Sequence, residues 1–210
     1  MSVFAADRRP SVRCSGASSD RARAHAKALI AEGCAGLVSF GLAGGLSPDL
    51  AAGTVVVADS VIAPDGRTLD TAGAWRERLI AACGNGLVVA AIAGSERLVG
   101  TVPEKQALAA KTGAAAVDME SHAVAAAAAE AGVPVLVVRA VADAATRRLP
   151  RWVATCVAAD GSRRWDTIVA GMLRNPGDFG VLMALAADSA KALAALRGVA
   201  GRAGPLFGLP

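Results

Sequence analysis

Apolar and polar positions along this chain alternate between short continuous hydrophobic runs and longer amphipathic ones. From Asp20 to Glu32 charges and alanine or leucine recur at helical spacing, and Gly33 supplies the left-handed cap that ends such a helix. Gly36 to Phe40 is a brief apolar run. Thr54 to Ala63, rich in valine and isoleucine, has the unbroken hydrophobicity of a strand covered on both faces. Thr71 to Cys83 reads as helix and Leu87 to Ala93 as extended chain. Pro103 suits the first turn of a helix running through Glu104 and Lys105 to Gly113. Ala114 to Val117 is extended, Ser121 to Ala131 is an alanine-rich helix with Gly132 beyond its end, and Pro134 opens a last strand, Val135 to Val141.

Strands alternating with helices predict an α/β fold: a single domain over residues 1–210, built on a central twisted mixed β-sheet flanked by helices. After Leu149-Pro150 turn residues gather at Asp160-Gly161 and Asn175-Pro176-Gly177, followed by a helix from about Val181 to Arg197. Residues 151–210 therefore read as a helical C-terminal extension, not a second domain. Residues 1–14 are atypical, because no apolar strand opens the chain, and the start reads as truncated.

Bulk properties narrow the function classes. A chain of 210 residues can bury about 70% of the surface its unfolded form exposes, without disulfides or metals. Hydrophobic residues make up 54% of it, yet many are alanine, and no stretch of about 20 residues stays free of charge as a spanning helix requires. Met1 to Pro10 lacks the apolar core of a secretory signal, so a cytoplasmic protein is expected. Cys14, Cys34, Cys83 and Cys156 show no paired spacing, and His25 and His122 are the only histidines, so no metal site is expected. The net charge of +4 is uneven: from Arg147 onward nine Lys or Arg face four Asp, a local +5. With no Tyr and aromatics at 3%, stacking platforms for nucleic acid are not expected. The basic excess reads as a solvated face, or as a peripheral contact with an anionic membrane.

Three strand ends carry candidate chemistry. Val117-Asp118-Met119-Glu120-Ser121 turns from apolar to acidic at a strand-to-helix junction, placing an apolar shelf beside a carboxylate, which suits a ligand with one greasy face and an edge of hydroxyls. Asp118 and Glu120 also have a simpler reading, as acids favouring the positive end of the next helix. Gly41, Gly44 and Gly45 let backbone approach closely and turn amides toward a small anion, or they make a mere tight turn. Asp143 lies four residues beyond Arg139, where burial raises a carboxyl pKa and a guanidinium lowers it. It reads as a proton donor, or as an Asp pairing with Arg139 to cap the following loop. Lys105 reads as a structural salt link and His122 as a structural helix histidine.

Taken together, Gly41 to Asp59, Val117 to Ser121 and Arg139 to Asp143 resemble the purine nucleoside phosphorylase and methylthioadenosine nucleosidase superfamily. Within it, Val117 to Ala123 with Ala142-Asp143-Ala144-Ala145 is most similar to the hopanoid-biosynthesis-associated nucleoside phosphorylases. The resemblance implies cleavage of an N-glycosidic bond, with inorganic phosphate as co-substrate and no other cofactor. Asp143 would protonate the purine and Arg139 would orient Asp143. Met119 and Glu120 would bind ribose. Leu42, Ala43 and Gly44, with Ser15 and Gly16, would hold phosphate, and Ser95, Glu96, Arg97 and Leu98 would line the base pocket. The implied substrate is a lipid-linked purine nucleoside, adenosylhopane, releasing adenine, and a homo-oligomer is expected. Departures from the pattern are the missing first strand, Ala142 where Ser is common, and Leu42 where Ser or Thr is common. Hydrolysis by a nucleosidase and a catalytically impaired nucleoside-binding subunit are the alternatives.

Overall fold

The computed structural model describes residues 10–150 and 174–209, together with Trp152 and Gly171. In chain order these form α1 (Ser19–Ala31), β1 (Leu37–Gly45), β2 (Val55–Ile62), β3 (Thr68–Asp70), α2 (Gly73–Cys83), β4 (Leu87–Gly94), α3 (Val102–Thr112), β5 (Ala116–Asp118), α4 (Ser121–Ala131), β6 (Val135–Asp143) and α5 (Phe179–Ala203). The α/β alternation expected from the sequence is present, with one addition, the short β3. Local signals act where the sequence put them. Thr101 and Glu104 form a reciprocal capping box at the start of α3, and Gly113 and Gly132 end α3 and α4 in the left-handed conformation.

The sheet order is β3-β2-β4-β5-β1-β6, with β2 also paired to β6. The mixed sheet expected from the sequence is present, and that extra pairing gives β2 a second partner on one edge. One edge of β2 runs parallel to β4, while its other edge is shared, Val55 to Val57 lying antiparallel to β6 and Ser60 to Ile62 antiparallel to β3. An irregularity between Ala58 and Val61 separates the two halves, as a bulge that bends a strand does. Strands β2, β4, β5, β1 and β6 thus close into a ring.

All nine residues of β6 are buried, which explains its near-continuous valine run. Val135, Val137 and Val141 pack with α4 alanines such as Ala125, Ala127 and Ala128 and with Ala26 of α1. Leu136, Val138 and Ala140 pack on the opposite side with Trp75 and Leu79 of α2 and Ala192, Leu196 and Val199 of α5. Small α4 side chains let the helix lie close to the strands, so alanine here is a packing choice and not filler. By length and mean hydropathy (1.6) α5 could cross a membrane. Its second half instead docks on β6, and Phe179 to Ala187 contain no buried residue. Trp75 Nε1 donates to the Phe207 carbonyl at 2.7 Å, tying down the chain beyond α5.

The end of β4 meets the start of α4 at Gly94, where a Cβ would fall 2.5 Å from Cβ, Cγ and Nδ1 of His122. Because the obstructing Cβ is fixed to the helix backbone, no side-chain rotation relieves the overlap. Gly94→Ala is expected to destabilise the fold by about 1–3 kcal/mol, read as a lower urea midpoint. An unchanged midpoint would show that this strand–helix contact is not close-packed.

Candidate functional site

The site begins with a division of labour between two adjacent acids. Asp118, the last residue of β5, accepts from the Ser121 amide at 3.2 and 3.1 Å and from Ser121 Oγ at 2.6 Å. It therefore satisfies the first turn of α4, the role the sequence left open between Asp118 and Glu120. Glu120, at the helix N-cap position, makes no capping bond with its side chain, which frees its carboxylate for other partners.

Arg139, in the middle of β6 and 1% exposed, is the neighbouring cation. Its Nε donates to Asp118 Oδ2 at 2.5 Å and to Ser121 Oγ at 3.2 Å, and its Nη2 to Ser39 Oγ at 2.7 Å and Glu120 Oε2 at 3.4 Å. Gly41 pairs with Arg139 across the ladder, and a Cβ there would stand 2.5 Å from Nη1, so only glycine leaves room for the guanidinium. Arg139 Nη1 is buried with no hydrogen-bond partner among the described residues.

The expectation that Arg139 orients Asp143 is corrected. β5 runs antiparallel to β1, so its C-terminal end points back toward the middle of β6 and delivers Asp118 to the guanidinium. Asp143 at the strand end is met by α3 instead. Lys105, fully buried, donates to Asp143 Oδ2 and to the carbonyls of Ala144 (2.8 Å) and Arg147 (3.2 Å). All three ammonium protons are thereby used. Among the described residues no hydrogen bond reaches Asp143 Oδ1. Burial pushes the Asp143 carboxyl up to about 6, against the opposing pull of the Lys105 charge.

Asp143 lines a cavity of about 50 Å³ with Gly44, Arg97, Leu98, Met119 and Leu149. Gly44 is what opens it, since a Cβ there would sit 3.2 Å from Asp143 Oδ2. Of the four residues expected around the base, Arg97 and Leu98 reach this cavity, whereas Ser95 and Glu96 do not. Ser95 Oγ folds back on the Arg97 carbonyl at 2.7 Å. Glu96 turns away to accept from Ser19 Oγ at 2.5 Å and to bond His122 Nε2 at 2.9 Å, and these bonds hold its carboxyl below the usual range, Ser19 contributing most. Glu96 and His122 line a separate cleft of about 320 Å³ with Ser19, Arg23, Asp65 and Arg67.

The five residues expected to hold phosphate are not brought together as an anion cradle. The glycine run is the second half of β1: Leu42, Ala43 and Gly44 sit in the ladder with β6, and Gly44 and Gly45 also pair with β5. The apolar alternation continues through the glycines, so the strand does too. Leu42 is 37% exposed and lines neither cavity. Ser15 Oγ and the Ala17 amide each donate to Glu120 Oε1 at 2.8 Å, while the Ser15 and Gly16 carbonyls accept from Arg21 at 2.8 and 3.1 Å. This segment faces a carboxylate, which repels an anion. Sequence reasoning missed Ser39 and Ser121 as partners of Arg139 and found Lys105 without its partner. A lysine three residues into a capped helix carries no local sign of where it points.

Comparison with known proteins fixes the family. The profile of the Phosphorylase superfamily matches residues 5–170, and the chain belongs to that superfamily, whose members cleave N-glycosidic bonds. No curated protein matches the chain. Among solved structures it is similar to the 5′-methylthioadenosine/S-adenosyl homocysteine nucleosidase of Helicobacter pylori in complex with a substituted pyrrolidinol (24% identity, 63% of this chain and 66% of that one, TM-score 0.60). It is similar also to the futalosine hydrolase of Helicobacter pylori (18% identity, 89% and 77%, TM-score 0.64). The corresponding nucleosidase of S. pneumoniae, solved with a transition-state inhibitor, aligns at 18% identity over 90% and 80% with a TM-score of 0.64. At these identities the likeness shows the fold.

The Lys105–Asp143 pair has a pH signature. A carboxyl whose folded pKa lies near 6, above its ordinary value of 3.8, weighs on the folded state as pH rises from about 4 through 6, and Lys105 offsets that weight. Lys105→Met is therefore expected to cost about 3–5 kcal/mol at pH 8, where Asp143 would be an unmatched buried anion. At pH 5, where it can hold a proton, the loss should be clearly smaller. Thermal melts at the two pH values check this, and equal losses would contradict it.

Proposed function

We propose that this protein cleaves the N-glycosidic bond of a purine nucleoside and releases adenine, with Asp143 as general acid. The observation that carries the reading is a carboxyl raised to about 6 that faces a cavity beside Met119 and that, among the described residues, takes its hydrogen bond through Oδ2 alone. Asp143 would give its proton to the imidazole nitrogen of the purine as the bond to the sugar breaks. The electron pair then stays with a neutral base while positive charge builds on the sugar. Met119 would cover the sugar face, Glu120 would accept from its hydroxyls, and Arg97 and Leu98 would border the base. The cavity of about 50 Å³ is smaller than a nucleoside, so ligand binding must open it.

Two acceptors suit this chemistry. The sequence resemblance to the hopanoid-biosynthesis-associated phosphorylases supports phosphate as nucleophile and adenosylhopane as substrate. Water is favoured by one observation, that the residues expected to hold phosphate lie in the β1 ladder or against Glu120. Adenine release measured with and without phosphate separates the two, and no release from any nucleoside in either condition would leave a binding subunit.

General acid catalysis sets the pH dependence. The protonated carboxyl is the active form, so kcat/KM should hold level below about pH 6 and fall tenfold per unit above it. Asp143→Asn should lose about 10²–10⁴-fold in kcat and abolish that limb. A limb that persists in the folded variant would assign the proton to another group.

A lipid-linked substrate further implies contact with a membrane surface. Phe179 and Met183, 54% and 58% exposed on the uncovered half of α5, and the basic excess beyond Arg147 support it. Anionic vesicles should co-sediment the protein, and Phe179→Glu with Met183→Glu should release it. Equal pelleting of both forms, or of neither, would end that part of the proposal.

A further inference from the structure

Glu120 is held by a segment more than a hundred positions earlier in the chain, and the way it is held divides its two oxygens. Oε1 takes both short bonds, from Ser15 Oγ and the Ala17 amide, each at 2.8 Å. Among the described residues Oε2 has only the Arg139 Nη2 contact at 3.4 Å, and the Glu120 side chain remains 21% exposed. The loop that delivers these donors is itself pinned. Arg21 donates to the carbonyls of Ser15 and Gly16, and Ser18 Oγ accepts the Arg21 amide at the start of α1. Gly16 and Ala17 both adopt left-handed backbone, at φ +55° and +58°. Alanine disfavours that conformation, and here it turns the Ala17 N–H onto the carboxylate. Strain of this kind persists where surrounding bonds over-determine it.

We propose that Ser15 and the Ala17 amide are positioning groups for recognition of the sugar: they anchor Glu120 through Oε1 so that Oε2 is presented, fixed in direction, to the ribose 2′-hydroxyl. The inference rests on the nucleoside reading above and deepens it, because it moves the origin of ribose specificity from Glu120 alone to the Ser15–Ala17 turn. A carboxylate free to rotate pays for its orientation each time it binds, whereas an anchored one does not. A hydroxyl that meets a fixed, partly desolvated acceptor is also strongly distinguished from its absence. Ser15 does not touch substrate in this scheme. It acts through Glu120.

The test compares adenosine with 2′-deoxyadenosine as substrates of the intact protein, for the wild type, Ser15→Ala and Ser15→Thr, with thermal melts to confirm folding. Ser15→Ala should raise KM for adenosine about tenfold, with kcat changed less than about threefold, because one charge-assisted bond to the acceptor is lost. KM for 2′-deoxyadenosine should move by less than about twofold, so the preference for the ribonucleoside shrinks, and Ser15→Thr, which keeps the hydroxyl, should restore it. An equal rise in KM for both nucleosides would overturn the proposal, since a merely structural loop affects both alike. Higher activity in Ser15→Ala would also overturn it, by showing that the turn occludes Glu120. A wild type that cleaves both nucleosides while Ser15→Ala keeps its full preference sinks the positioning role alone. A wild type that releases adenine from neither of these nor from any other purine nucleoside sinks the nucleoside reading along with it.

Discussion

A guanidinium buried in the centre of a strand keeps its charge at any pH the protein meets, so everything around it must be arranged to receive it. Arg139 is that group, and its requirements reach into β1, β5 and α4. Ser39 and Ser121 supply hydroxyls, Asp118 supplies the counter-charge, and Gly41 supplies the space. Desolvating such an ion costs several kcal/mol and the pairing returns little beyond that. The gain is in specification, because β5 can end only where Asp118 meets both the cation and the first amide of α4. That junction places Met119 at the cavity, while Glu120, the next residue, lines neither described cavity and turns to the Ser15–Ala17 segment.

A second buried pair does different work. Lys105 spends two of its three protons on carbonyls of the turn after β6 and one on Asp143, so that among the described residues the acid is held by one oxygen. A compact ammonium offers no second parallel bond of the kind a guanidinium makes to a carboxylate. Asp118, matched by Arg139 and the α4 amide, is therefore structural. Asp143, matched singly and deeply buried, is left near its titration point. The acids that end β5 and β6, strands separated by β1, are thus held by cations of different shape.

The strands and helices were legible in the sequence because each had a local cause: valine runs for β2 and β6, a capping box for α3, glycines closing α3 and α4. The chemistry-bearing positions at the ends of β5 and β6 could be singled out in the same way, from charge appearing abruptly after apolar runs. What the sequence could not disclose were pairings between distant segments. Lys105 meets Asp143 across 38 positions, and Ser15 meets Glu120 across 105. The closure of β2 on β6 depends on a bend inside β2 that no residue type announces. The glycine run misled for a physical reason, since glycine permits a turn but equally permits the close approach that Arg139 and Asp143 demand at Gly41 and Gly44.

The nature of the acceptor turns on local charge. Around Glu120 the fixed groups are two carboxylates and one guanidinium, with Ser15 and Ala17 adding only neutral donors. A dianion brought there would meet a net negative site, and in a medium of reduced dielectric that repulsion is not screened away. Among the described residues the donor of the cluster without a partner is Arg139 Nη1, and its two buried N–H groups alone do not make the cradle of several donors that a phosphate seeks. At the end of β6, Asp143 shares its surroundings with Lys105, whose protons are already committed. The described residues thus place their positive charge where it steadies carboxylates, not where it would gather an anion. The charge balance that would suit Glu120 to a neutral hydroxyl would suit an uncharged nucleophile as well.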